Sequence, residues 1–294
     1  MKPSPYQITA FTQAARERSF SKAAIALGVT QSSITQHVAK LEQIMGTQLF
    51  VRRRDGLELT RAARELFEVS DRLRTLEQVI GEKIESYSNL STGHLRIVAN
   101  APRPVMPAIA QFLQLYPQVQ IEFSLVSWTI AMRQLRNREV DVAVVTEPDS
   151  LDGIFLREVG STRYKAHMRR DLAPSAMIVS LSELRNDVVI LPEDGSLTQR
   201  VFNAKAGELG LVFPRVIKIT TFPAVKEAVL HGVGIGILLE DSLFPSSRLV
   251  ALEIAEMPES YRNCVATPID KRDLRFVKSF IDLITDQADS QGRN

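Results

Sequence analysis

The stretch FSKAAIALGVTQSSITQHVAKLE, residues 20–42, decides how the first part of the chain folds. It opens and closes in good helix formers, but Thr, Gln and Ser crowd its middle and none of them is charged. Ser21 is placed as an N-cap, with Phe20 before it and Ile25 inside the helix at hydrophobic-staple spacing. The helix KAAIAL then stops at Gly28, a residue type that tolerates the left-handed turn after a helix. Thr30 is the next N-cap, and Val29 and Ile34 form a second staple. Two short helices around a Gly-containing turn make a helix-turn-helix.

In the second of these helices Ile34, Val38, Leu41 and Met45 form one apolar stripe, which is expected to face the core. Gln31, Ser32, Ser33, Thr35, Gln36 and Lys40 fall off that stripe and stay available. The N-terminal part of such a helix enters the DNA major groove, where Gln pairs with adenine through two hydrogen bonds and Ser or Thr meets either base or phosphate. Plain solvation of an exposed face is the competing reading. The flanks favour DNA. Upstream, Tyr6, Ile8, Phe11, Ala14 and Ala15 repeat at helical spacing, giving a first helix to about Arg18. Downstream, QLFVRRRDGLELT (48–60) reads as two strands around an Asp55-Gly56 turn. Arg52, Arg53 and Arg54 on this wing are placed to grip phosphates beside the groove.

Charge follows the same division. Residues 1–65 hold ten Lys and Arg against five Asp and Glu, whereas the remainder is mildly acidic. A basic head on an acidic body is what a polyanion-binding module shows. At 294 residues the chain calls for more than one domain. The lone Cys264 rules out an internal disulfide and fits a reducing cytoplasm. The start, MKPSPYQITAF, has no continuous apolar leader, no run is long enough to cross a bilayer, and the four His show no metal-ligand spacing. No cofactor is expected.

From Thr60, a new N-cap, Leu66, Val69, Leu73, Leu76 and Ile80 alternate in steps of three and four. The seam resumes through Ile84, Tyr87 and Leu90, which is the pattern of a pairing helix over residues 60–90. SNLSTG (88–93) reads as a hinge. Beyond it, strand-like runs (HLRIVAN, VQIEFSLV, DVAVVTE, VVILPE, RVIKIT, GIGILL) alternate with helical ones, so an α/β body with largely parallel sheets is expected. Ligands in such sheets bind at strand carboxyl ends. That rule nominates Asn100, Arg103, Ser127, Trp128, Thr129, Thr146, Glu147, Ser196, Thr198 and Phe222. Ser and Thr at helix starts suit an anion, and ordinary N-capping explains each of them singly. A lone Trp is more often core than ligand cover.

The head resembles the LysR-type transcriptional regulators of bacteria. The matching residues are Phe11 and Ala14, Ser19 to Glu42, GTQLFVRR and LELTRAARELF; Ala63 stands where the family commonly has Gly. The resemblance implies base or groove contact from Gln31, Ser33 and Gln36, and phosphate contact from Ser32, Thr35, Arg52 and Arg53. Many relatives have Arg where Gln36 stands, which leaves the recognised bases open. It further implies a winged helix-turn-helix (1–65), a linker helix (60–90) and an α/β effector domain (93–294). That domain would comprise two Rossmann-like subdomains similar to periplasmic binding proteins, about 93–162 with 263–294, and about 163–262. Double-stranded DNA, a small anionic effector, a second copy in a homodimer or homotetramer, and RNA polymerase are the implied partners. A subfamily likeness, through TGHLRIVANAP and DGSLTQRVF, points to regulators associated with aminoethylphosphonate catabolism. In that picture Trp128 and Glu147 would meet the amine and Arg103 the phosphonate.

Two other classes compete with this one. An enzyme in the body would need a nucleophile–base pair or a metal set, and the sequence has no G-x-S-x-G, H-E-x-x-H or P-loop. A transport-type binding protein would not carry a basic winged head.

Overall fold

A computed structural model describes residues 2–53, 56–85, 93–148, 152–243 and 245–291. Packing divides the chain into Met1–Leu90 with Arg136–Glu139, and Ser91–Leu135 with Val140–Asn294.

The first unit contains helices α1 (Pro5–Glu17), α2 (Phe20–Leu27) and α3 (Gln31–Met45), strands β1 (Phe50–Arg53) and β2 (Gly56–Leu59), and helix α4 (Arg61–Glu85). Ser4 and Gln7 start α1 with a reciprocal capping box. Helix α2 begins earlier than its sequence reads. Ser19, not Ser21, is the N-cap and accepts from Lys22 N at 3.3 Å. The shift takes Ile25 out of staple register, and it is 82% exposed. Phe20 instead packs edge-on against Phe50, with ring centroids 5.4 Å apart. Gly28 closes α2 at φ 65°, and Thr30 caps α3 by accepting from Ser33 N at 3.2 Å.

Ile34, Val38 and Leu41 are buried, but Met45 is 39% exposed. The expected stripe ends one turn early because α3 closes at Gly46, beyond the core of Phe11, Ala14, Ala23, Leu49, Phe50, Ala63 and Phe67. Ala63 is fully buried in that core. Thr60 caps α4 by accepting from Ala63 N, and Asp71 on α4 receives Arg16 at 3.3 Å and Arg74 at 3.4 Å. Further along α4, Val69, Leu73, Leu76, Ile80 and Ile84 form an apolar stripe, each between 50 and 67% exposed. Tyr87, Leu90 and the expected hinge up to Thr92 lie outside the described residues, as does the side chain of Lys83.

The second unit runs β3 (Gly93–Ala99), α5 (Met106–Leu115), β4 (Val119–Leu125), α6 (Trp128–Arg136), β5 (Val142–Thr146), β6 (Ile154–Arg169), β7 (Ile178–Val179) and β8 (Val189–Leu191). It continues through α7 (Leu197–Glu208), β9 (Val216–Lys218), α8 (Phe222–Leu230), β10 (Ile235–Leu239), β11 (Leu249–Ile254), β12 (Ser260–Pro268) and α9 (Arg275–Gln291). Strands β4, β3 and β5 pair in parallel on one side, and β10, β8 and β9 on the other. The central strands β5 and β10 are buried along their whole length, as strands covered on both faces must be.

The long β6 joins the two lobes. It pairs antiparallel with β12 from Ile154 to Arg163, then with β10 and β11 from Tyr164 to Arg169. Strand β12 makes the return crossing, with a register shift between Asn263 and Cys264. Between β8 and β10 the backbones approach so closely that a Cβ at Gly234 would sit 2.3 Å from the Val188 carbonyl. Among the described residues, no helix is long and apolar enough to cross a membrane.

Candidate functional site

The edge expected to read DNA is the off-stripe face of α3. Gln31, Ser32, Gln36 and Lys40 are exposed, and Ser33 and Thr35 are half-buried. Gln31 is held in place, its Oε1 accepting from Ser21 Oγ at 2.8 Å, so the residue expected to cap α2 fixes the Gln31 side chain instead. The Thr35 hydroxyl donates back to the Gln31 carbonyl. On the wing, Arg52 is exposed, and Arg53 pairs with Glu58 across the hairpin at 2.8 Å. Both of those side chains are more than half exposed, so the pair contributes little to stability. Arg54 lies outside the described residues. The wing is anchored where Leu57 N donates to the Arg18 carbonyl at the end of α1, at 3.0 Å.

In the body, a cavity of about 590 Å³ opens between the two lobes. One lobe contributes Asn100 after β3, Ser127 and Trp128 after β4, and Ile130. The other contributes Glu193, Ser196 and Thr198 after β8, Thr221 and Phe222 after β9, and Ser242 after β10. Helices α6, α7 and α8 all begin in this lining, so their positive dipole ends converge on the cavity, although Pro223 leaves α8 one first-turn N–H short. Ser127 and Ser196 also serve as caps, accepting from Ile130 N and Gln199 N, while Thr221 makes no cap bond. Thr198 is buried near the Tyr164 hydroxyl. Burial raises the pKa of that phenol well above its ordinary value, and among the described residues its oxygen has no hydrogen-bond partner of good geometry.

Six of the ten residues nominated by the strand-end rule line the cavity: Asn100, Ser127, Trp128, Ser196, Thr198 and Phe222. Thr129 is exposed outside it. Thr146, Glu147 and Arg103 hold the lobe crossing together. Thr146 N donates to Asn100 Oδ1 at 3.0 Å, Thr146 Oγ1 to Asn263 Oδ1 at 2.8 Å, and Asn263 Nδ2 to Asp241 Oδ2 at 2.9 Å. This polar chain runs from one lobe into the other. Glu147, at φ 44°, is clasped by the Arg262 backbone and guanidinium at 2.9 and 2.7 Å. Those hydrogen bonds hold its carboxyl below the usual range. Arg103 Nη1 donates to the Glu240 carbonyl at 3.3 Å. Trp128 Nε1 donates to the Thr146 carbonyl, and Arg200 stacks over the indole at 4.9 Å, so one face of the ring is covered by protein.

Glu193, Arg200 and Ser242 lie beyond the residues that the strand-end rule nominates. Glu193 follows directly on the VVILP run and was within reach of the strand-end rule; Arg200 and Ser242 have no signal of that kind. A larger hollow of about 670 Å³ lies within one lobe, between the β6–β7 segment and Gly232–Ile235. Helix starts do not converge on it, and its Glu183 already accepts from Ser180 N.

A winged helix-turn-helix, a long helix and a two-lobed α/β body with an interlobe cavity define a DNA-binding regulator that carries a small-molecule effector domain. The family models agree. Residues 6–64 match the bacterial regulatory helix-turn-helix protein of the lysR family, and residues 88–289 match the LysR substrate binding domain. The chain belongs to the LysR family of transcriptional regulators, which favours a regulator over an enzyme or a transport-type binding protein. Among curated proteins it is similar to YwqM of Bacillus subtilis, an uncharacterized HTH-type transcriptional regulator, at 28% identity over 240 residues. That match covers 80% of this chain and 81% of YwqM. Among solved structures it is similar to a cysteine-to-aspartate variant of full-length OxyR from Pseudomonas aeruginosa, with a TM-score of 0.77 and 18% identity, covering 97% of this chain and 95% of that one. It is also similar to full-length LysG from Corynebacterium glutamicum with bound effector Arg, with a TM-score of 0.64 and 20% identity, covering 99% of each chain. At these identities the two structures speak for the fold.

Proposed function

We propose that this regulator reads its operator through Gln31, Ser33 and Gln36, grips phosphates through Ser32, Thr35, Lys40 and the wing arginines Arg52, Arg53 and Arg54, and is controlled by a small molecule with an anionic group in the interlobe cavity. The observation that carries the effector half is the convergence of three helix N-termini on one cavity, since such ends attract anions through unpaired N–H groups and the helix dipole. The lobes correspond to about 93–162 with 263–294, and about 163–262. Closure about the β6 and β12 crossings would change how paired heads bend the operator.

Pairing is assigned to α4, whose apolar stripe is exposed in the single chain and has the seam spacing of a coiled coil. A homodimer, extended to a homotetramer, reads a two-part site. The cytoplasm is its compartment, and RNA polymerase is the remaining partner. The likeness to aminoethylphosphonate regulators keeps that compound among the candidate effectors. Its amine partner would not be Glu147, which is committed to Arg262. Nor would Arg103, whose guanidinium reaches the Glu240 carbonyl, be free to take the phosphonate in the same position.

A mobility-shift titration on the DNA upstream of its own coding sequence tests the reading. Wild-type protein should bind with a salt-dependent affinity that an effector alters. Binding that ignores every effector tried would leave the cavity without its assigned role, and no preference over random DNA would overturn the reading edge.

A further inference from the structure

Of the described residues that line the interlobe cavity, Glu193 is the only one with a charged side chain. Its setting contrasts with that of its neighbour in sequence. The Asp194 carboxylate is held by Lys218 at 2.6 Å and by the Gln199 amide. Glu193 has no ion pair among the described residues, and its Oε1 is buried with no hydrogen-bond donor. Arg200, the cation stacked on Trp128, is not among the lining residues. A carboxylate oxygen taken out of water without a donor is costly, and proteins ordinarily pair such a group. The remainder of the lining is mostly apolar, with Leu125, Val126, Ile130, Leu197, Phe222 and Leu239 around a few hydroxyls.

We infer that Glu193 receives a cationic group of the effector, so that the ligand class is a small zwitterion. Its anionic end lies at the starts of α6, α7 and α8, its ammonium or guanidinium against Glu193, and its apolar body along Trp128 and Phe222. This rests on the cavity being the effector site and adds the second charge. An acid alone would leave Glu193 unpaired, and a simple amine would leave the three helix starts unused. A molecule with both charges satisfies both ends of one cavity, and the hydrogen bond to an ionised carboxylate gives it direction.

The test is a melting-temperature screen of the full-length protein against matched compounds: 5-aminopentanoate with pentanoate and pentylamine, and 2-aminoethylphosphonate with ethylphosphonate. Glu193→Gln and Thr198→Val are run beside wild type, with ligand-free melting curves confirming that each variant folds. The expected result is that at least one zwitterion raises the melting temperature more than its single-charge counterparts. Glu193→Gln should then raise the concentration needed by about 10- to 100-fold, the loss of one charge-assisted contact. Thr198→Val should weaken all hits alike. If acids without an amino group shift melting as strongly as zwitterions, or if amine-bearing hits are indifferent to Glu193→Gln, the cationic assignment fails while the cavity reading stands. Hits that survive both substitutions unchanged would overturn the cavity reading itself. A panel in which no zwitterion shifts the melting also counts against the assignment.

Discussion

The proposed DNA-reading edge and the proposed effector cavity are assembled in opposite ways. Every α3 residue on the edge lies between Gln31 and Lys40, off the buried stripe of one helix, and each is exposed or half-buried. The cavity gathers its lining from loops after β3, β4, β8, β9 and β10, which are up to 142 residues apart from Asn100 to Ser242. A helix face is fixed by a local period, so the edge exists once the head folds. A cavity at strand ends exists only when two sheets have formed and β6 and β12 hold them side by side. The contrast predicts that changes in the head alter DNA preference without touching ligand response, and that changes in the cavity do the reverse.

The largest expected effect attacks the head's core. Phe11→Ala should cost about 3–5 kcal/mol of head stability and abolish operator binding, read by denaturant unfolding and mobility shift. If ligand-induced melting shifts vanished with it, the two sites would not be independent.

Next is the pH response of the body. His167 on β6 is buried with Nε2 unpartnered, and burial, helped by Lys165, depresses its pKa to about 4. The unfolded chain, titrating near 6.5, therefore binds more protons than the native one between pH 4 and 6.5. Stability from this group is fully present above about pH 6.5 and is lost as pH falls toward 4, by about 3 kcal/mol at the limit. Melting curves of wild type and His167→Leu over that window should show a steeper acid loss in wild type; parallel curves would remove His167 as the cause.

On the edge, Gln31→Ala should cost about 1–3 kcal/mol of specific binding and relax one base position in a selection experiment. An unchanged preference would take Gln31 out of the readers. In the cavity, Thr198→Val should blunt the effector response and spare operator affinity. The smallest effect is Arg52→Ala, which should lower affinity for all sequences alike and reduce the slope of log affinity against log salt by about one.

The same contrast explains what was legible beforehand. Caps and turns are local, so Gly28, Thr30 and Thr60 could be placed from neighbours within a few residues. Ser21 reads as a cap from its neighbours, but Ser19 offers the same cap chemistry two residues earlier and takes the role, with Phe20 packed on Phe50 and the Ser21 hydroxyl given to Gln31. Strands β6 and β12 escaped notice because IFLREVGSTRYKAHMR mixes charge and apolar residues without one period, as a strand that changes partners and lobes midway must. The strand-end rule found the right loops but not every side chain's destination. Thr146 ends β5 and Glu147 follows it, yet they pair with Asn263 and Arg262, more than a hundred residues away.

The sequence by itself determined the helix-turn-helix, its wing, the exposed seam of α4 and the α/β alternation, because each depends on spacing within a few turns or one strand. Only the tertiary structure decided which polar residues face the cavity, which hold the crossing between lobes, and that Glu193 Oε1 has no hydrogen-bond donor among the described residues. Those outcomes depend on contacts between segments far apart in the chain, and side-chain direction there is set by what each residue meets.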